Sequence, residues 1–274
     1  MSKIKRFLSN PLLILAVVLA AHPFQAISQE DPAVDPKVID ILGRANDFLA
    51  AQDTVSVSWF ASQDTVIDGR EKITQMRSGF NLISRGEGFF AFTESGLKTR
   101  EFYFDGETFR IVDVDDNAYV SASFDGGFEA LVEKVRAEYD IVLPIWSVLS
   151  NRPSSELLDG AEAAAYLGVT RVAGREVHHL ALSDYDGDWQ IWISTDPERP
   201  ELLMLVGTNP YAQGWPQYRV FFSDWNFSPE VEDEMFTYIP DEDAEQLIWP
   251  KTGEFVRPAG TIQSDETAPA VQSE

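Results

Sequence analysis

The chain has 274 residues, a formal net charge of −24, three histidines and no cysteine. Charge this negative excludes nucleic acid and anionic lipid surfaces as partners held by charge alone. The lack of cysteine excludes disulfides, thiolate metal sites and N-terminal lipidation, so packing must supply the stability.

The first residues have the form of an export signal. Lys3, Lys5 and Arg6 make a basic start, Leu12 to Ala21 an apolar run, and Ala26-Ile27-Ser28 a small-x-small cleavage site. The run is about ten residues, half of what crossing a bilayer needs. Cleavage is expected after Ser28, making residues 1–28 a signal peptide and the mature charge −27, since three positive and no negative charges leave. The mature protein is expected to be soluble and periplasmic, with one folded domain over residues 29–249 and a disordered acidic tail over 250–274.

Asp35-Pro36 opens a helix, with Asp35 as N-cap and Pro36 at the first helical position. Val38, Ile41, Leu42, Ala45, Phe48 and Leu49 form one apolar stripe. Thr54 to Phe60 alternates at period two, and after Asp68-Gly69 a long strand is expected from Lys72 to Arg85. Met76, Phe80 and Leu82 share a face of it, and Gly79 suggests a bulge. Phe89 to Thr93, Leu97 to Phe104 and Glu107 to Val112 continue the sheet, with Asp105-Gly106 as the clearest hairpin turn. Tyr119 to Ser121 follows the turn at Asp115-Asp116-Asn117.

A helical stripe then runs through Phe128, Leu131, Val132, Val135 and Tyr139. Helical patterns also cover Pro144 to Leu149 and Ser154 to Ala165. Sheet resumes at Tyr166, with strands at Glu176 to Ser183, Asp188 to Ile193, Glu201 to Thr208 and Gln217 to Trp225. No strand alternates regularly with a helix, which excludes a parallel βαβ plan. The expected fold is α+β, mostly β. A sheet this wide is expected to curl into a half-open barrel, with a few helices covering its concave face.

The chemistry-bearing residues do not converge. His178 and His179 are adjacent on a strand and point to opposite faces, so they cannot hold one metal ion together. Asp184-x-Asp186-Gly187-Asp188 is superficially like a calcium loop, but its glycine is misplaced and no closing glutamate follows. Asp113, Asp115 and Asp116 read likewise as an acidic turn. No Gly-x-Ser-x-Gly elbow is present, and no carboxylate pair stands out for glycoside hydrolysis. No cofactor, metal or catalytic residue is therefore assigned. Trp59, Phe80, Leu82, Phe104, Trp189, Ile191, Met204 and Phe222 are expected to face inward and contact an apolar ligand.

Several of these segments carry a resemblance. Phe104-Asp105-Gly106, Leu143-Pro144, Gly168, His178-His179-Leu180, Asp188-Trp189-Gln190-Ile191-Trp192-Ile193, Pro216-Gln217-Tyr218 and Asp224-Trp225 resemble a family of predicted periplasmic proteins. That family is grouped with the LolA/LolB-like lipoprotein carriers, and the likeness spans about Asp35 to Ile248. It implies a LolA-like open barrel with a helical lid and an apolar cavity for acyl chains, and no catalytic site. The carriers' lid-latching basic residue matches no position here. The function so implied is reversible burial of an acyl chain of a lipid or lipoprotein, received from and passed to a membrane-associated donor or acceptor. A sensor or scaffold of the same fold and an acid-using hydrolase are the alternatives.

Overall fold

The computed structural model describes residues 33–248 except 125, 140–144, 146–147, 151–157, 159 and 186. The expected signal peptide and acidic tail lie outside the described residues, as does much of the helical reading between Pro144 and Asp159. Helix α1 (Pro36–Ala50) begins as its sequence dictates: the Asp35 carboxylate accepts the Lys37 N–H at 2.8 Å, and Pro36 occupies the first turn. Val38, Ile41, Leu42 and Leu49 are its buried stripe.

Strands β1 (Thr54–Ile67) and β2 (Glu71–Ser84) form a long hairpin. At its tip Asp68 and Gly69 both take positive φ, the conformation that Asp-Gly supplies most readily. Strands β3 (Gly88–Ser95), β4 (Lys98–Phe104), β5 (Thr108–Asp113) and β6 (Ala118–Ser123) extend this meander. Helix α2 (Phe128–Tyr139) follows, then a second meander of β7 (Ala161–Val172), β8 (Arg175–Asp184), β9 (Asp188–Ser194), β10 (Leu202–Thr208) and β11 (Gln217–Asn226). A 3₁₀ turn at Asp233–Phe236 and the two-residue β12 (Glu245–Gln246) complete the described chain.

Antiparallel pairing of β1 with β11 joins the two meanders into one twelve-stranded sheet, ordered β12-β6-β5-β4-β3-β2-β1-β11-β10-β9-β8-β7. This corrects the half-open barrel. The order is linear, with β12 and β7 at opposite edges and unpaired with each other, so the sheet is open and not strongly curled. Width favours curling only when nothing else covers the apolar faces, and wide open sheets persist when other elements pack on them. Here the helices bury one face while the sheet keeps both its edges.

Two local readings change as well. Ala161 to Ala165 is strand, because pairing with Leu182 and Ala181 of β8 overrides alanine's helical preference. Gly79 marks no bulge, since its pairing runs without a shift to both β1 and β3. Instead the Trp59 indole lies across it: a Cβ there would sit 2.4 Å from the ring and 2.2 Å from the Phe92 carbonyl oxygen.

On the helix-bearing face, Val55, Val57, Trp59 and Ala61 of β1 join Ile83, Phe89, Phe104 and Phe109 in one buried cluster, with Phe128, Leu131 and Val135 of α2 and the stripe of α1. On the opposite face Phe60, Met76 and Phe221 are exposed, whereas Phe236 is buried against Gly88.

Candidate functional site

Where α1 crosses β1 and β9 to β11, the face is not filled. A cavity of ≈ 660 Å³ remains there, within the usual range of ~300–1,000 Å³ for small-molecule sites. Leu42, Ala45, Phe48 and Leu49 of α1 form one wall, and Trp189, Ile191 and Ile193 of β9 with Leu202, Leu205 and Gly207 of β10 the other. Strand β11 contributes Gln217 and Tyr218 at one end and Trp225 at the other, so the space runs along the strands for roughly 23 Å from Tyr218 to Trp225 at about 3.3 Å per residue.

Its two ends differ in chemistry. At one end Phe48 meets Phe227 edge-on with centroids 4.8 Å apart, and Trp225 stacks on Phe227 at 5.6 Å. The Arg199 guanidinium lies 5.2 Å over the Phe227 ring. Both lining indoles, Trp225 at this end and Trp189 at the other beside Gly207, have spent their N–H groups: Trp225 donates to the Leu202 carbonyl at 2.8 Å and Trp189 to Asp184 Oδ2 at 3.2 Å. What they present to the cavity is ring surface. Gly207 makes room for this, because a Cβ there would lie 2.8 Å from the Trp189 ring.

The other end is polar, lined by Gln63, Asp64, Thr208, Asn209, Gln217 and Tyr218. The buried Asp64 carboxylate accepts from Thr74 Oγ1 at 2.8 Å and the Gln217 N–H at 3.1 Å, with Lys72 Nζ at 3.3 Å and an Arg219 nitrogen at 3.6 Å. Burial alone would raise its pKa. The hydrogen bonds from Thr74, Gln217 and Lys72 and the Arg219 charge outweigh that and hold it below the usual carboxylate value. Burial pushes the Tyr218 hydroxyl up to about 12 against the opposing charge of Arg77, whose guanidinium donates to Gln63 Oε1 at 3.0 Å. Tyr218 therefore stays a neutral hydroxyl, able both to donate and to accept.

Of the eight residues expected to face inward, Trp189 and Ile191 line this cavity. Trp59, Phe104 and Phe222 share its face but are packed into the neighbouring core. Phe80, Leu82 and Met204 point the other way. The β1–β2 loop has three residues, with Ile67 opposite Glu71, so Trp59 pairs with Gly79 and not with an even-numbered residue. A two-residue loop would have put Phe80 and Leu82 on the Trp59 face. Met204 is displaced similarly: a register shift after Leu202 sets it opposite Trp192. The wall from α1, the Asp64 cluster, Tyr218 and Phe227 were not among the expected contacts. Two signals could have found them: the alternation of β1 continuing past Phe60, and a glycine, Gly207, set in an apolar strand.

The other candidates resolve into structural roles. His178 and His179 do point apart, and both find partners. His178 Nδ1 lies 3.1 Å from the Tyr166 hydroxyl, and its pKa is lowered by burial and then by the charges of Arg44 and Lys37. His179 stacks on Trp192 at 4.4 Å and reaches Gln190 Oε1 at 3.0 Å. Asp184 closes its own turn by accepting the Gly187 N–H at 2.7 Å, and Asp115 accepts the Thr99 N–H at 2.7 Å. Among the described residues, no group of three or more His, Asp or Glu side chains could hold a metal ion.

Comparison with known proteins adds a family. The model of a family described as "Predicted periplasmic protein (DUF2092)" matches residues 39–248, and the exported, periplasmic location expected from the sequence agrees with that description. No curated protein matches the chain. Among solved structures, the chain is similar to lipoprotein LppX of Mycobacterium tuberculosis, at 12% identity and a TM-score of 0.42, over 72% of this chain and 100% of that one. LprF of Mycobacterium bovis is similar at 11% identity and 0.40, over 72% and 96%. A LolA superfamily protein of Nitrosomonas europaea follows at 13% and 0.32, over 73% and 97%.

Proposed function

We propose that this chain, which belongs to the DUF2092 family of predicted periplasmic proteins, binds the acyl chain of a lipid or lipoprotein reversibly in the cavity beneath α1. The observation that carries the reading is the shape and lining of that cavity: a long slot walled by ring faces and aliphatic side chains, with uncharged polar side chains gathered around Tyr218 at one end. An acyl chain of about fifteen methylenes costs roughly 12 kcal/mol to expose to water, at about 0.8 kcal/mol per methylene. A slot that buries most of that surface supplies the driving force. Ring faces grip a chain without fixing its register, and the polar end offers Tyr218, Gln63 and Gln217 to a head group.

A binding role fits better than catalysis. Both buried carboxylates that line the cavity are committed to partners: Asp64 is held ionised by Thr74, Gln217, Lys72 and Arg219, and Glu201 pairs with Arg175 and Arg199, which suits structural anions and not proton-transfer groups. A membrane-associated donor or acceptor would supply and receive the cargo. Native mass spectrometry of protein purified from periplasm tests this: a co-purifying mass of one lipid or acyl chain per protein supports it, and an empty protein that takes up no added fatty acid overturns it.

A further inference from the structure

The loop between β10 and β11, residues 209–216, stands at the polar end of the cavity, with Asn209 and Pro216 both in its lining. The loop is firmly built. Asn209 Oδ1 accepts the N–H groups of Tyr211 and Ala212 at 3.0 and 3.1 Å, and the Asn209 N–H donates to the Pro216 carbonyl at 3.1 Å. From this frame two aromatic side chains project into solvent, Tyr211 at 74% and Trp215 at 67% exposure.

Trp215 is costly as well as exposed. Its φ is +47°, a region that bulky side chains rarely enter and that Asn or Gly would occupy with less strain. Packing does not repay the strain, since most of the indole is in solvent. The loop is also unlike the rest of this chain of charge −24. Residues 209–216 carry no charge; of the two turns beside them, the β1–β2 tip is balanced, Arg70 and Lys72 against Asp68 and Glu71, while the β8–β9 turn brings Asp184 and Asp188 together with the exposed ring of Tyr185. The loop touches the β1–β2 tip, with Gln213 against Gly69 and Gly214 against Val66.

We infer that this end of the molecule is a membrane-contact element, in which Tyr211 and Trp215 enter the head-group layer of a phospholipid bilayer and bring the polar mouth of the cavity to the lipid. Amphipathic indole and phenol rings settle at that depth, and a loop without charge adds no repulsion of its own toward the lipid. The inference rests on the reading of the cavity as an acyl-chain site, because the loop flanks its mouth.

The test is co-sedimentation of the mature protein with protein-free phosphatidylcholine vesicles, for wild type, Trp215→Asn and the double variant Tyr211→Ser/Trp215→Asn. Wild type should partition to the vesicles, and the double variant should lose at least fivefold of the bound fraction. Trp215→Asn should melt no lower than wild type, because asparagine accepts the positive φ. Titration of a fluorescent fatty acid without vesicles should give the same affinity for all three proteins. Equal vesicle binding by wild type and double variant overturns the inference. So does a wild type that ignores protein-free vesicles, which would assign the loop to a protein partner. A wild type that binds vesicles but no fatty acid would instead remove the cavity reading on which the loop's purpose depends.

Discussion

The helix-bearing face of the sheet has a filled half and a hollow half, built on the same alternation. Across β2 to β5, Ile83, Phe89, Phe104 and Phe109 meet Phe128 and Leu131 of α2, and every one of them is buried. Phe89 and Phe128 have centroids 4.8 Å apart. Across β9 to β11 the sheet side chains are no smaller, yet space remains. The difference lies in the covering helix. Toward this half α1 sets Ala45 and Asn46 between Leu42, Phe48 and Leu49, so its wall is recessed where α2 presents phenylalanine and leucine to the other. A cavity in a close-packed protein needs a reason, and here it is the small size of Ala45 and Asn46 in the wall of α1, with Gly207 letting the Trp189 ring lie back against the sheet.

The largest effect that would sharpen this contrast is in the filled half. Phe89→Ala should cost about 3–5 kcal/mol in denaturant unfolding, because the site cannot collapse around the void. Phe48→Ala, in the wall of the hollow, should cost only about 1 kcal/mol, since one side of that ring already faces open space. Equal losses would break the distinction.

The glycines offer a matched pair. Gly79→Ala drives a methyl against the backbone oxygen of Phe92 and the Trp59 ring, for about 3 kcal/mol of overpacking. Gly207→Ala meets only the Trp189 ring, which can tilt into the cavity. That change should cost about 1 kcal/mol or less while weakening apolar-ligand binding.

At the polar end the stabilising element is a charge cluster. Asp64 has a folded pKa below its unfolded value, so its contribution is full above about pH 4 and is lost as pH falls through the lowered folded value. Asp64→Asn should therefore cost on the order of 2 kcal/mol at pH 7. The gap to wild type should narrow below about pH 4. A gap that stays constant down to pH 2 would deny the carboxylate this role.

Much of the fold was legible in sequence because its signals are local. Asp35-Pro36 set the start of α1, Asp68-Gly69 and Asp105-Gly106 set two hairpins, and alternation found the strands. What was hidden depends on pairing over distance. The β1–β11 contact that joins the meanders links Trp59 to Phe222, and nothing near either residue announces it. Which face Phe80 and Leu82 would take hung on one residue of loop length at the β1–β2 tip. The aromatic motif Asp188–Ile193 lies in one wall of the cavity, with Trp189 and Ile191 lining it. The opposite wall was read from its stripe as a covering helix, although Ala45 is where the covering stops short.

That small side chain also gives the sharpest test of the whole account. Isothermal titration of palmitate into wild type and Ala45→Phe, with a thermal melt of each, asks whether the space under α1 holds the ligand. The prediction is one site per chain in wild type with a negative heat-capacity change. For Ala45→Phe it is at least tenfold weaker binding and a melting temperature no lower than wild type. Equal binding by both proteins, or no saturable binding by wild type, would contradict it.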